Sequence, residues 1–101
     1  MEELTTEILR FRDDRGWGAN HDARSLAISV SLEASELLEH FQWVSPEEAI
    51  HADKQGIADE AADVLIYLLQ LANVLEIDLK EVAQQKMLKN AVKYPIPVEI
   101  K

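Results

Sequence analysis

The chain has 101 residues, 48% of them hydrophobic and 29% charged, so one packed domain is expected rather than a disordered segment. Its 19 acidic and 10 basic residues give a formal charge of −9, which disfavours binding to a nucleic acid polymer or to an anionic membrane surface. It contains no cysteine, which excludes disulfides, thiolate metal sites and cysteine nucleophiles.

The first predicted helix covers residues 1 to about 14, because Leu4, Ile8 and Phe11 repeat at helical spacing. Its acidic start lacks the positive charge and apolar run of a secretory signal. Together with the missing cysteines, this start predicts a cytoplasmic location. Two glycines then interrupt the helical pattern, and a loop is expected over residues 15–21.

The second predicted helix begins at Asp22 or Ser25, either of which could serve as its N-cap, and runs to about Trp43. Residues 45–48 combine a serine N-cap, a proline at the first helical position and a glutamate three residues after the cap. This capping-box pattern predicts a short extra helical turn between the second and third helices.

The third predicted helix runs from Asp53 or Gln55 to about Glu76 and is apolar on nearly all sides from Val64 onward. Its most apolar stretch, residues 61–75, contains polar residues and is shorter than the roughly 20 residues that cross a bilayer. A helix that is apolar all round must be covered on every side. We therefore expect a homo-oligomer, either a dimer or a tetramer built as a dimer of dimers.

A second capping box at residues 78–81 predicts the start of the fourth helix, which ends near Tyr94 and Pro95. No strand-like alternation or internal repeat is evident. The sequence thus predicts one all-α domain over residues 1–101, a four-helix bundle with a short extra turn that oligomerisation completes and a frayed tail after about residue 95.

Two pairs of acidic residues stand out, each with its members three residues apart: Glu33 with Glu36 on the second helix, and Glu60 with Asp63 on the third. Such pairs are common on solvated helix faces, so either pair alone is better explained as an exposed structural pair. Both pairs, however, lie on apolar stripes, where burial of uncompensated carboxylates costs several kcal/mol per charge. A cation is therefore expected between them.

The predicted ligands are all carboxylate oxygens, with no histidine or cysteine at coordinating spacing. Oxygen ligation of this kind suits magnesium, manganese or calcium better than zinc. Mg²⁺ is the expected cofactor, with Mn²⁺ as a possible substitute.

The chain resembles the MazG-type all-α nucleoside triphosphate pyrophosphohydrolases, in particular their compact dCTP-pyrophosphatase-like branch. The resemblance covers nearly the whole chain. It rests on Trp17, His21 and Arg24 in the first loop, on residues 33–37 and 41–43, and on residues 59–67 and 86–95. It implies hydrolysis between the α and β phosphates of a nucleoside triphosphate, giving a nucleoside monophosphate and pyrophosphate in nucleotide house-cleaning.

The resemblance also implies that Glu33, Glu36, Glu60 and Asp63 are the metal ligands. The sequence departs from many relatives at Leu32, where they carry a further glutamate. Which group accepts the proton of the attacking water is therefore open, and our hypothesis is Glu36.

Several aromatic and polar residues match substrate-binding positions of similar enzymes. Trp17, His21, Trp43 and Tyr67 match residues of the base pocket, where aromatic faces stack on the base, and Trp43 is equally well explained as a core anchor. The match favours a pyrimidine deoxynucleotide, dCTP first.

A polar stripe on the fourth helix is the last candidate. Lys86, Asn90 and Lys93 recur at helical spacing with Tyr94 beside them. Without the resemblance this stripe reads as a solvated helix end; with it, contacts to the triphosphate are expected.

Other functions stay open at this point. A related all-α hydrolase could act on dUTP or on phosphoribosyl-ATP, and a non-catalytic helical oligomerisation or regulatory module could carry the same pattern.

Overall fold

The computed structural model describes residues 1–98, and these form four α-helices with no β-strand among them, which confirms the all-α prediction. The helices are α1 (Glu2–Asp14), α2 (Ala23–Glu39), α3 (Pro46–Val74) and α4 (Leu79–Lys93), and a 3₁₀ turn at Gly18–Asn20 precedes α2. Of the predicted tail, residues 95–98 have no regular structure, and residues 99–101 lie outside the described part.

Helix starts follow the capping residues. The side chain of Asp22 caps α2, that of Ser45 caps α3 and that of Asp78 caps α4. In the first of these, the Ser25 backbone N–H donates to Asp22 Oδ1 at 2.7 Å. A side-chain acceptor at this position satisfies a helix N–H that has no partner within the helix, so these three residues fix where the helices begin.

The end of α2 lies at Glu39, four residues before the predicted end at Trp43. Beyond Glu39, the backbone N–H groups of residues 40–42 donate to the carbonyl three residues earlier instead of four, which tightens the chain into turns. Trp43 then adopts a φ of 67°, in the left-handed region, and this stops the helix.

Two helix ends close with the same hydrogen-bond pattern. After α1, Gly16 has a φ of 68°, and the Trp17 N–H donates to the Arg12 carbonyl at 3.1 Å. After α3, Glu76 takes the equivalent left-handed position with a φ of 56°, and the Ile77 N–H donates to the Ala72 carbonyl. Both are Schellman motifs, which satisfy the last helix carbonyls and turn the chain sharply.

The predicted short turn and third helix form one continuous element with a bend. Asp53 has non-helical angles (φ −157°, ψ 66°) inside α3, and its Oδ1 accepts a hydrogen bond from the Gly56 N–H at 2.9 Å. Asp53 therefore caps the segment that follows it, close to where the sequence predicted that the third helix begins. A Cβ atom at Gly56 would overlap the Asp53 carboxylate.

The core lies where α3 packs on α2 and, less extensively, on α1. Its buried apolar residues are Ile8, Leu26, Ala49, Leu69 and Ala72. By contrast, α4 has no buried residue, and its contacts with the other helices are sparse. The packed part of the chain thus consists of α1, α2 and α3.

The chain is elongated, with extents of 62 × 36 × 24 Å and a radius of gyration of 17.4 Å. A compact domain of this length has a radius of gyration of about 13 Å. Large apolar side chains on α4 are exposed, among them Met87, Leu88 and Val92, the last to 84%. No helix within residues 1–98 has the length and apolar character needed to cross a membrane.

Candidate active site

The packing of α2 on α3 brings three of the predicted carboxylates together. Glu33 and Glu36 lie three residues apart on α2, and Glu60 faces them from α3. One carboxylate oxygen from each of the three residues lies within 4.8 Å of the other two. Glu33 and Glu60 are half-buried and Glu36 is exposed, so the cluster has an inner side and an open side.

Two oxygens of this cluster are buried without a hydrogen-bond partner in the described structure, Glu33 Oε2 and Glu60 Oε2. Burial, together with contacts to Glu36 and Glu60, raises the pKa of Glu33 to about 7. Burial also raises the pKa of Glu60. The only ion pair within residues 1–98 is Arg12 with Asp13, so no lysine or arginine there compensates the cluster.

Asp63, the fourth predicted ligand, is not part of this group of three. It lies one helical turn beyond Glu60, and its negative charge helps to raise the pKa values of Glu33 and Glu60. It also lines a neighbouring cavity. Asp63 therefore stands between the carboxylate cluster and that cavity.

The cavity has a volume of about 440 Å³ and lies between α1, the first loop and α3. Three of the predicted base-pocket residues line it together with Asp63: Trp17, His21 and Tyr67. The remaining lining residues are Leu4, Glu7, Ile8, Phe11, Arg12, Ile66 and Gln70. An acidic end thus continues into an aromatic and apolar interior.

Aromatic and cationic groups stack where α1 meets the first loop, and two of them, Phe11 and Trp17, line the cavity. Phe11 and Trp17 meet edge to face with ring centroids 5.9 Å apart, and the Arg15 guanidinium lies 3.4 Å from the centroid of the Phe11 ring. The Schellman motif at Gly16 produces this arrangement, because it folds Trp17 back onto the last turns of α1. Half of the Trp17 side chain stays exposed to the cavity and solvent.

The cavity lining also contains a hydrogen-bonded pair. His21 Nδ1 lies 2.8 Å from Gln70 Oε1, and Gln70 is only 5% exposed. This bond joins the first loop to α3 across 49 residues of sequence.

Sequence reasoning missed several cavity residues. The helical spacing of Leu4, Ile8 and Phe11 predicts a helix but does not indicate what its apolar stripe contacts, and Gln70 is one polar residue within an apolar stretch. No local pattern distinguishes Arg12. Only the packing of α1 on α3 reveals these residues as cavity lining.

The other predicted substrate contacts lie apart from this site. Trp43, in the turn after α2, is 97% exposed and lines no part of the cavity. Lys86, Asn90, Lys93 and Tyr94 lie on or just after α4, away from the packed helices, with Lys93 Nζ 5.3 Å from the centroid of the Tyr94 ring.

Comparison with known proteins shows similarity to one family and to enzymes named as pyrophosphatases. Residues 28–101 match the model of the MazG-like family. The chain is 32% identical to dCTP pyrophosphatase 1 of Mus musculus over 95% of its length, and 31% identical to dCTP pyrophosphatase 1 of Homo sapiens over 94%. It spans 59% of the length of each of these relatives.

Its fold is similar to that of a pyrophosphatase from Archaeoglobus fulgidus known from a crystal structure. The TM-score is 0.89 at 47% sequence identity, and the match covers 95% of this chain and 93% of the archaeal one.

Proposed function

Because this chain belongs to the MazG-like family, we propose that it is a magnesium-dependent nucleoside triphosphate pyrophosphohydrolase with a preference for dCTP-like substrates. The proposed reaction cleaves the bond between the α and β phosphates and gives a nucleoside monophosphate and pyrophosphate. The observation that carries the proposal is the cluster of Glu33, Glu36 and Glu60, with two buried carboxylate oxygens that have no partner among the described residues.

The donor set fits a hard divalent cation. All its atoms are carboxylate oxygens, which magnesium and manganese prefer, and burial of such oxygens is stable only when a positive charge compensates them. Glu33, Glu36 and Glu60 would hold the ion with Asp63. A bound Mg²⁺ would neutralise charge on the triphosphate and lower the pKa of a bound water.

The protein itself contributes a proton acceptor to the reaction and holds the substrate in a fixed orientation. Water forms a new bond to the α phosphorus, the bond from that phosphorus to the bridging oxygen breaks, and pyrophosphate leaves. Glu36 takes the proton of the attacking water, because it is the exposed member of the cluster and faces the open side.

The cavity beside Asp63 is the proposed base pocket. Trp17 and Tyr67 offer aromatic faces on which a base can stack, and Tyr67 lies one turn after Asp63 on the same face of α3. Relatives named dCTP pyrophosphatase 1 support cytosine as the preferred base.

A second copy of the chain is proposed to complete the site. The residues of α4 and Trp43 have no partner surface within the described protomer, and Trp43 holds a left-handed backbone angle although no burial of its side chain compensates the strain. The exposed apolar residues of α4 need cover as well. In a dimer or a dimer of dimers, a second copy would cover the apolar residues of α4 and bring Lys86 and Lys93 to the site.

The activity is tested by pyrophosphate release from a panel of nucleoside triphosphates with Mg²⁺, with Mn²⁺ and with EDTA. We expect turnover with either metal, none with EDTA, and dCTP ahead of the other common nucleotides. Glu60→Gln should lower turnover by more than the roughly 10- to 100-fold typical of changes just outside a metal's ligands. The matched control is Glu47→Gln, which removes the same charge from an exposed position in the first turn of α3.

Two results would reject the proposal. One is the absence of pyrophosphate release from every nucleotide. The other is a Glu60→Gln variant that is as active as Glu47→Gln, because the carboxylate cluster would then have no part in the reaction.

The assembly is tested by light scattering at micromolar concentration. We expect a mass of two or four times 11.4 kDa. A single species with the mass of one chain would contradict the contribution of α4 from a second copy.

A further inference from the structure

Two cavities flank the carboxylate cluster, and they differ in chemistry. The aromatic cavity described above meets the cluster at Asp63. A second cavity, with a volume of about 400 Å³, is lined by Glu36 and Glu60 of the cluster together with Glu39 and His40. The two cavities share no lining residue among those the structure describes. The cluster therefore separates a largely apolar cavity from a polar one.

The second cavity contains one hydrogen-bond donor. His40 lies at the end of α2, four residues after Glu36, and so on the same face of the helix about 6 Å further along its axis. Its imidazole is half-buried and forms no ion pair with a carboxylate within residues 1–98. An ionised glutamate can only accept hydrogen bonds, whereas an imidazole has an N–H to donate whether it is neutral or charged. Among the described residues that line this cavity, His40 is thus the one whose side chain can donate to an anion.

The order of these groups determines how a nucleotide can lie across the cluster. Its base fits the aromatic cavity, and its α phosphate lies at the carboxylates that are proposed to hold the metal. The phosphates beyond the α phosphate then point away from Asp63, towards Glu36 and His40. A donor at that end of the cluster meets the β and γ phosphates, which leave together as pyrophosphate.

We propose that His40 donates a hydrogen bond to the β or γ phosphate of the bound triphosphate and holds the pyrophosphate group as it leaves. This proposal rests on the proposed function and adds a substrate-binding residue to it. Negative charge on the pyrophosphate oxygens grows as the bond to the α phosphorus breaks, so the hydrogen bond becomes stronger in the transition state. The proton stays on the imidazole, and no covalent bond to His40 forms.

Two other roles of a histidine at this place can be separated from phosphate binding. An imidazole can bind a metal ion, although Mg²⁺ prefers oxygen ligands, and a metal ligand would change the affinity for Mg²⁺ alone. A histidine at a helix C-terminus can also stabilise the helix through its dipole. That role would change the melting temperature without changing the affinity for pyrophosphate.

The first experiment measures by calorimetry the binding of inorganic pyrophosphate at saturating Mg²⁺. His40→Ala should weaken this binding roughly 10-fold and leave the affinity for Mg²⁺ alone unchanged. His40→Gln keeps an N–H donor and should retain most of the affinity. The matched control is His51→Ala, which removes an exposed histidine of α3 that lines neither cavity and should leave pyrophosphate binding unchanged.

The second experiment measures hydrolysis of dCTP and inhibition by dCMP. His40→Ala should lower kcat/KM for dCTP roughly 10- to 100-fold, with part of the loss in kcat, because the lost hydrogen bond is strongest in the transition state. The affinity for dCMP should stay at the parent value, since dCMP has no β or γ phosphate. A general disturbance of the site would weaken both nucleotides.

The third experiment observes His40 directly in the parent protein. In nitrogen-15 spectra of the labelled histidines, pyrophosphate with Mg²⁺ should shift the His40 signals and leave those of His51 in place. The signals are assigned by their loss in His40→Gln and His51→Ala. This measurement does not depend on the folding of His40→Ala.

The outcomes separate this proposal from the hydrolase proposal. A His40→Ala variant with the parent's pyrophosphate affinity, an equal loss of affinity for Mg²⁺ alone, or His40 signals that pyrophosphate does not shift would overturn the role of His40 and leave the hydrolase proposal intact. Pyrophosphate binding that depends on His40, in a parent that hydrolyses no nucleotide, would support the role of His40 and reject the hydrolase proposal. A parent that neither binds pyrophosphate nor hydrolyses a nucleotide would overturn both.

Discussion

At the scale of single residues, Glu33 gives the metal-free protein a pH dependence. Its pKa is about 7 in the folded chain against an ordinary value of 4.5, so the folded state binds more protons than the unfolded state between these values. The stability that Glu33 contributes is present below about pH 4.5 and is lost as pH rises through 7. In EDTA, the melting temperature should therefore fall between pH 5 and pH 8.

Calorimetry at several pH values checks this expectation. Magnesium binds the deprotonated carboxylates, so excess Mg²⁺ should flatten the trend, and its binding near pH 6.5 should release protons to the buffer. Glu33→Gln should also flatten it, whereas Glu47→Gln should not. If the stability of the metal-free parent does not change between pH 5 and pH 8, the cluster is solvated and the prediction is wrong.

Asp63 tests whether the acidic residues serve metal binding or stability. Asp63→Asn removes a charge that raises the pKa values of Glu33 and Glu60, so the metal-free variant should be at least as stable as the parent. Hydrolysis should fall by several orders of magnitude, because a misplaced triphosphate reacts slowly.

Magnesium stabilises a binding protein by RT ln(1 + [L]/Kd), and this gain should be much smaller for Asp63→Asn than for the parent. Melting curves with and without magnesium measure both the stability of the metal-free protein and the gain on binding magnesium. A variant that melts lower than the parent, with an equal response to magnesium, would assign Asp63 to a structural role.

At the scale of helices, the two Schellman motifs differ in the residue at the left-handed position. Gly16 adopts it at no steric cost, but Glu76 does so against the preference of a residue with a Cβ atom. Glu76→Gly should therefore stabilise the chain by about 0.5–1 kcal/mol, as measured by urea unfolding. Gln84→Gly, in the interior of α4, should destabilise it by a similar amount, since glycine is unfavourable within a helix. Equal effects at the two positions would mean that the Glu76 angle carries no strain.

Helix starts could be predicted from the sequence and helix ends less well. Asp22, Ser45 and Asp78 signal starts through their own side chains, which accept hydrogen bonds locally. The end of α2 at Glu39 depends instead on backbone angles near Trp43, which no side chain announces.

Part of the candidate site could likewise be predicted from the sequence and part could not. Glu33 and Glu36 share a helix face by spacing alone, and the apolar stripes predicted that Glu60 faces them. The contact of His21 with Gln70 could not be predicted, because it depends on how the first loop crosses α3. The assigned roles of all these residues stay predictions until they are tested.

At the scale of the whole molecule, the separation of α4 from the carboxylate cluster, together with the dimer proposed above, predicts complementation between inactive variants. Glu60→Gln damages the cluster and Lys93→Ala damages α4, so a mixed dimer has one site with both defects and one with neither. Refolding the two variants together at equal concentration should restore about a quarter of wild-type activity, because half of the random dimers have one intact site of two. The measurement is pyrophosphate release before and after mixing. No increase over the sum of the separate variants would indicate that each protomer uses its own α4.

Asp53 and Gly56 constrain each other over evolutionary time. While Asp53 caps its segment of α3, alanine at position 56 would displace the carboxylate, and the loss of the cap, about 1 kcal/mol, offsets the better helix propensity of alanine. Once Asp53 has been replaced, there is no cap to lose, and the same alanine improves stability by about 1 kcal/mol. The benefit of one substitution is thus conditional on the other, and a lineage that straightens this bend should change the two positions as a pair, Asp53 first.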